Sequence, residues 1–430
     1  MMRITLSLIA LLAAACHYED GKLPPDSQPD AGVDGQTGCA PGHAGAACVL
    51  ALYDQASASC DAADVVKLTS ELDARKGIGP LWAAGRALFR TAAPIGVAGT
   101  FNSWSTTALV TKAVCNSTLV VGVGAVPSGF HTYKLSDGST WSLDAENPAF
   151  AYDDFSGNPD GKNSVLDTPD SGRGHLVVLD RACSTTLGNC RDVTAYLPRG
   201  YNGTDVHAYP VLFMHDGQNV WDDHTCCFGH TGWEVNVALD AEIAAGRVAE
   251  AIVIAADNTA QRNDEYGLTP TVMNAFMQFQ VAELQPHALA KVRGDGRVFV
   301  AGSSLGGLVS MELALHYPQT YTGAASLSGS FWVGQDDGTA VRDQLPSIGK
   351  QPLALYLDSG GSLTSNADSA ADTAEVRDLL VGLGWQRGDS PNCTLGPSAV
   401  CWYIEPGATH DELAWKARTW RFLRFLLPPS

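Results

Sequence analysis

The stretch RVFVAGSSLGGLVSMELALHYP, residues 297–318, holds two adjacent serines between glycines. A serine in the pattern G-x-S-x-G, after a strand and before a helix, has the arrangement of a nucleophile elbow. Alignment on Gly302-Ser303-Ser304-Leu305-Gly306 makes Ser304 the nucleophile. Ser303 fails, because two places after it stands Leu305, not glycine. The glycines have a steric purpose. Cβ atoms at 302 and 306 would collide where strand RVFVA turns sharply into helix LVSMELALHY. The N-terminus of that helix then faces the negative charge that develops when the hydroxyl attacks.

A serine hydroxyl needs a base, and the base needs a group to orient it. In sheets with this elbow the chain order is Ser, acid, His. His410 lies in EPGATHDELAW, just after the apolar run CWYIEP, where the loop after a last strand reaches the same sheet edge as Ser304. His316 lies about three turns along the nucleophile helix and points elsewhere. The acid should follow the run LALYLD, within residues 358–372. Asp368, in the loop SLTSNADSA before the helical AEVRDLL, is favoured by position. Asp358 at the strand end is the second candidate, and Asp372 the third. The acid would hold the imidazole in one tautomer and offset the imidazolium charge. Backbone N–H groups must form the oxyanion hole: one at Leu305, the other in the loop after YPVLFMHDGQN, at Gly217 or Gln218.

The elements that must position these residues are legible in the pattern. The runs YPVLFMHD, AIVIAADN, RVFVAGSS, AASLSG, LALYLDSG and CWYIEPG read as buried parallel strands. Helical patterns separate them, among them VMNAFMQFQVAELQPHAL, LVSMELALHYP and AEVRDLLVGLGW. The alternation predicts an α/β fold, a doubly wound sheet over 173–430. Residues 78–170 are short β-rich runs between Gly, Asn and Asp turns, which predict a small all-β immunoglobulin-like sandwich. Residues 39–77 carry three cysteines and a helical pattern with Val65, Val66, Leu68 and Leu72.

The chain has 430 residues, 45% of them hydrophobic, and a formal charge of −19, which argues against nucleic acid as a partner. Its start, MMRITLSLIALLAAACHYEDG, pairs Arg3 with an apolar run too short to span a bilayer. Residues 1–16 resemble a bacterial lipoprotein signal, with Cys16 as the lipidated residue and 17–38 as a disordered tether. Plain secretion is the alternative, since Ala13 stands where such signals carry leucine. Ten cysteines remain, an even number that reads as disulfides in an exported protein. Cys183/Cys190 and Cys393/Cys401 pair first. Asp222, His224, Cys226, Cys227 and His230 have metal-ligand chemistry, but a C-C pair without a second C-x-x-C is poor for zinc. Neither metal nor cofactor is expected.

Further motifs stand in order along the chain: HDGQN with WDD, GWEVN, DNTAQRNDEY, GSSLGG and GATHDELAWKAR. With these motifs the chain resembles the esterase family of enterochelin-type siderophore esterases, feruloyl and acetyl-xylan esterases of carbohydrate esterase family one, and S-formylglutathione hydrolases. The segments GTFNSW, YKLSDGSTWSLDAENP and NSVL resemble the early-set sandwich that precedes such catalytic domains. The resemblance implies Ser304 as nucleophile, His410 as base, and Gln218 with Leu305 as oxyanion donors. Many relatives place the acid three residues after the glycine that ends the strand; here that residue is Leu363, in a longer loop. It also implies a substrate wall of Arg262 and Tyr266, with Glu265, beside Asp216 of the HDGQN motif. Arg262 paired with Glu265 in a loop network is the equal alternative. Trp104 and Trp141 could stack on a sugar ring, but burial in the sandwich or between domains is the favoured reading.

The expected function is serine hydrolysis of a carboxylic ester, with a small-molecule or polysaccharide substrate. A feruloyl or acetyl ester on polysaccharide is preferred, and a siderophore trilactone is the alternative. A non-catalytic glycan-binding surface lipoprotein stays open as a second class. Acyl transfer to an alcohol would use the same residues.

Overall fold

Apolar strands covered on both faces build the centre of this protein. The computed structural model describes residues 45–429 except 154–160, 169, 200, 202–206, 222–231 and 365. The expected signal with Cys16, the expected tether, Cys39 and the residues Asp222, His224, Cys226, Cys227 and His230 lie outside the described residues. Among the described residues no helix is long and apolar enough to cross a membrane.

The N-terminal part begins with helices α1 (Ala46–Ser59) and α2 (Ala62–Asp73). Asp61 caps α2 by accepting from the Ala63 N–H at 2.7 Å. Strands follow: β1 (Leu81–Ala83), β2 (Arg86–Thr91), β3 (Gly96–Gly99), β4 (Lys112–Ala113), β5 (Val120–Ala125), β6 (Phe130–Ser136), β7 (Trp141–Ser142), β8 (Ala149–Tyr152) and β9 (Lys162–Asp167). One sheet runs β1-β2-β5-β4. Alternation along β2 divides its two faces. Ala87 and Phe89 pack with Val97, Tyr133 and Leu166 inside the sandwich. Leu88 instead joins Val49, Leu52 and Leu68 of the two helices. A disulfide from Cys60 to Cys115 ties the end of α1 to the turn before β5. Trp104 and Trp141 do not enter either core. They are 37% and 41% exposed, with ring centroids 6.2 Å apart, which corrects the reading that buried them.

The second part contains β10 (His175–Cys183), β11 (Cys190–Leu197), β12 (Tyr209–Met214), α3 (Gly217–Val220), α4 (Val235–Ala244), β13 (Ile252–Ala256), α5 (Pro270–Phe279) and α6 (Gln285–Leu289). It continues with β14 (Gly294–Ser303), α7 (Leu305–His316), β15 (Gly323–Leu327), α8 (Val341–Ile348), β16 (Ala354–Ser359), α9 (Ala370–Gly382), β17 (Gln386–Asp389), β18 (Ala399–Ile404) and α10 (Glu412–Leu426). The sheet order is β17-β18-β16-β15-β14-β12-β13-β11-β10-β8-β9-β6-β3. Strands β12 to β18 pair parallel with one another, whereas β11 pairs antiparallel with both β13 and β10. Through the β8–β10 pairing, the second layer of the sandwich is hydrogen-bonded into this same sheet.

Val211, Ile252, Val300 and Leu355 face a core closed by α5, α7 and α9. Their neighbours Leu212, Val253, Phe299 and Tyr356 face the opposite core, closed by α4 and α10. Period-two alternation with helices on both sides is the doubly wound α/β arrangement. The helix expected over VMNAFMQFQVAELQPHAL widens at Gln280–Leu284 between α5 and α6. Pro286 has no N–H to bond one turn back, so the regular ladder cannot pass it.

Candidate active site

Ser304 stands between β14 and α7 with φ 56° and ψ −124°, a conformation that side chains rarely adopt. The glycines show why the turn is possible. A Cβ on Gly302 would lie 2.6 Å from the Gly306 carbonyl carbon, and one on Gly307 would lie 2.6 Å from Ser326 Oγ. Ser303 is 4% exposed at the end of β14, so its hydroxyl is not the one presented.

His410 Nε2 lies 2.9 Å from Ser304 Oγ, and His410 Nδ1 lies 2.5 Å from Asp368 Oδ1. The three residues come from loops 42 and 106 positions apart from His410, all delivered to one edge of the parallel sheet. Trp415 packs edge-on against the imidazole at 5.0 Å. Ser330 Oγ is 3.4 Å from Ser304 Oγ.

The long loop before Asp368 explains how an acid so far past the strand reaches the histidine. Ser362 and Ala367 form an isolated antiparallel bridge, so the loop folds back on itself. Asp368 then returns to the end of β16, where the Gly360 N–H donates to its Oδ2. A Cβ on Gly360 would lie 2.8 Å from that same oxygen. Ser328 Oγ also donates to Oδ2, at 2.6 Å. Burial pushes the Asp368 carboxyl up, but the bonds from His410, Ser328 and Gly360 outweigh it and hold the group below the usual carboxylate range.

The other acid candidates are engaged elsewhere. Asp358 is fully buried and accepts from Arg418 Nε at 3.2 Å and from the Tyr356 hydroxyl at 3.0 Å. Burial pushes its carboxyl up, against the pull of Arg418. Asp372 accepts from Gln335 and Asn366, both at 3.0 Å. His316 bonds Gln344 and Glu312 at the far end of α7.

Leu305 heads α7, and the Leu308 N–H already bonds back to Ser304 O at 3.0 Å. The first amides of a helix lack partners within it and point outward. Gly217 and Gln218 open α3 after Asp216, which has φ 58°. Gln218 Oε1 accepts from the Asn258 N–H at 3.0 Å, which anchors this loop to the end of β13.

Asp216, Arg262 and Tyr266 form one cluster behind the elbow. Arg262 grips Asp216 with both forks, at 2.6 and 2.7 Å, and its guanidinium stacks 5.1 Å from the Tyr266 ring. The alternative pairing of Arg262 with Glu265 does not form. Glu265 is instead buried against Arg191 at 2.5 Å, and also accepts from Asn189 Nδ2 at 2.6 Å and Thr259 Oγ1 at 3.2 Å. Tyr266 and Asp216 are 1% and 4% exposed, so of the three only Arg262 presents surface; burial removes the other two from a substrate wall. Next to them, burial holds the His215 imidazole down to about 4.

Residues 184–380 match the family model named Esterase. Over 268 residues the chain is 33% identical to an Iron(III) enterobactin esterase of Dickeya dadantii (strain 3937), covering 59% of this chain and 57% of that one. An Iron(III) enterobactin esterase of Escherichia coli O6:H1 is 27% identical over 159 residues, covering 35% of this chain and 38% of that one. The chain thus spans about half the length, or less, of these curated relatives. Among solved structures, a ferulic acid esterase superposes with a TM-score of 0.45 at 17% identity, covering 59% of this chain and 98% of that one.

Ser328, Ser330, Trp415 and Arg418 escaped the sequence reading. A signal for two of them was present. Trp415, Arg418, Thr419 and Phe422 follow helical spacing on the buried face of α10, and an arginine on an apolar face demands a partner.

Proposed function

We propose that the α/β domain is a serine carboxylic-ester hydrolase that works through Ser304, His410 and Asp368. The single observation that carries this reading is the 2.9 Å contact of His410 Nε2 with Ser304 Oγ at the head of α7. That is the distance a general base needs to take the hydroxyl proton. Ser304 Oγ attacks the ester carbonyl while His410 takes its proton. The N–H of Leu305 and an N–H of Gly217 or Gln218 receive the oxyanion. His410 then protonates the departing alcohol, leaving an acyl-serine. Water repeats the sequence: it gives a proton to His410 and attacks the acyl carbon, and His410 passes that proton to Ser304 Oγ as the bond to the acyl carbon breaks and the acid leaves. Asp368 keeps the Nδ1 proton on its side, so that Nε2 is the basic nitrogen.

The named activity of both curated relatives moves a siderophore trilactone ahead of a feruloyl or acetyl polysaccharide ester as the first substrate to try. The disulfides Cys60–Cys115, Cys183–Cys190 and Cys393–Cys401 support export into an oxidising compartment, with Cys16 as the lipid anchor of the proposal. The exposed pair Trp104 and Trp141 favours a second role for the sandwich, contact with a glycan.

Labelling with a fluorophosphonate probe, with Ser304→Ala as control, tests the mechanism. Serine-dependent labelling is expected, and equal labelling of the variant refutes the reading. A panel of ferric enterobactin, methyl ferulate, acetyl-xylan and p-nitrophenyl acetate orders the substrates. Fractionation of a Cys16→Ala variant tests the anchor.

A further inference from the structure

We infer that Ser328, clamped by Trp415 and Arg418, is a positioning residue that orients and stabilises the Asp368 carboxylate; this rests on the esterase reading of the site. Three groups converge on the Ser328 hydroxyl. It donates to Asp368 Oδ2 at 2.6 Å, and it accepts from Trp415 Nε1 at 2.9 Å and Arg418 Nη2 at 3.0 Å. An indole N–H and a guanidinium can only donate, and a hydroxyl has two lone pairs and one proton. With both lone pairs occupied, the proton has one place to go, the Asp368 oxygen. Ser328 is 0% exposed, so water does not compete for it.

The surroundings show that this rotor is built and not incidental. Ser328 is held at φ 48°, a conformation unfavourable for a residue with a Cβ. Such strain persists only where neighbours over-determine it. Its N–H donates to Asp358 O at 2.8 Å, which fixes the backbone. Arg418 is fixed in turn by Asp358, and Asp358 by the Tyr356 hydroxyl.

The charged groups that face Asp368 are His410 from the loop before α10, Arg418 from α10, and Asp358 from β16. Arg418 Nη2 stays 4.0 Å from Asp368 Oδ2, with the Ser328 hydroxyl interposed. A guanidinium in direct contact would neutralise the carboxylate that the imidazole needs. The hydroxyl instead passes on part of the cation's pull while leaving the negative charge available at Oδ1.

The test uses the full chain with Ser328→Ala and Ser328→Gly, beside wild type and Ser304→Ala. Glycine removes the hydroxyl but accepts the positive φ, so it separates lost bonding from backbone strain. kcat and KM for p-nitrophenyl acetate are measured from about pH 4 to 9, with thermal unfolding in parallel. Both folded variants should lose about tenfold to a hundredfold in kcat with KM nearly unchanged. The acid limb should move to higher pH, because Asp368 protonates earlier without the donated bond. A folded variant that keeps wild-type kcat and pH profile overturns the inference. So does recovery of activity in the glycine variant alone, which would assign the loss to strain. Turnover that survives Ser304→Ala overturns the esterase reading instead, and the inference with it.

Discussion

Replacing Asp368 by Asn should disable the base without emptying its position. Two donors, the Ser328 hydroxyl and the Gly360 N–H, point at Oδ2. An asparagine must therefore turn its carbonyl oxygen toward them, because its NH2 group would meet two donors head-on. The NH2 then occupies the site of Oδ1, 2.5 Å from His410 Nδ1. Facing a donor, Nδ1 must accept, and the single imidazole proton moves to Nε2. That nitrogen lies 2.9 Å from Ser304 Oγ, where a lone pair is required. The wrong tautomer in a triad costs about 10⁴ in kcat, equivalent to about 5.5 kcal/mol of barrier. Steady-state hydrolysis of p-nitrophenyl acetate by Asp368→Asn should show a loss of about 10³ to 10⁴, KM nearly constant, and slow fluorophosphonate labelling. Asp358→Asn should impair folding more than the kcat of the molecules that do fold. If Asp368→Asn keeps more than about a tenth of wild-type kcat, the assignment of the acid is wrong.

Other outcomes follow from the same geometry. Gly302→Ala places a Cβ 2.6 Å from backbone that cannot yield, and should cost about 1–3 kcal/mol or more by chemical denaturation, whereas Gly306→Ala, 3.1 Å from Asp216 Oδ2, should cost less. Arg262→Ala leaves buried Asp216 without its bidentate partner and should cost about 3 kcal/mol, part of it recovered in the double variant with Asp216→Asn. His215, held down to about 4 by burial, releases its proton on folding. Its contribution is therefore full above the unfolded value of 6.5 and is lost as pH falls from there toward 4, by about 3 kcal/mol; pH-dependent unfolding of wild type against His215→Asn measures that slope.

Much of this protein can be read from local pattern. G-x-S-x-G names Ser304 because the steric demand of the elbow is local, met by residues within a few positions of the serine. Strand runs such as YPVLFM and AIVIAA declare burial on both faces, and chain order together with the last strand singles out His410. The pairs Cys183–Cys190 and Cys393–Cys401 are legible because short loops bring their ends together. Asp368 could only be ranked above Asp358 and Asp372, since each lies close to the strand end in sequence. The tertiary structure separates them: a folded-back loop delivers one carboxylate to the imidazole, while Arg418 and Tyr356 claim another and Gln335 and Asn366 the third. Partner choice for Arg262, the exposure of Trp104 and Trp141, and the clamp on Ser328 were likewise decided in three dimensions. Each depends on which residues dozens of positions apart the fold brings together or leaves uncovered, and spacing along the chain holds no record of that.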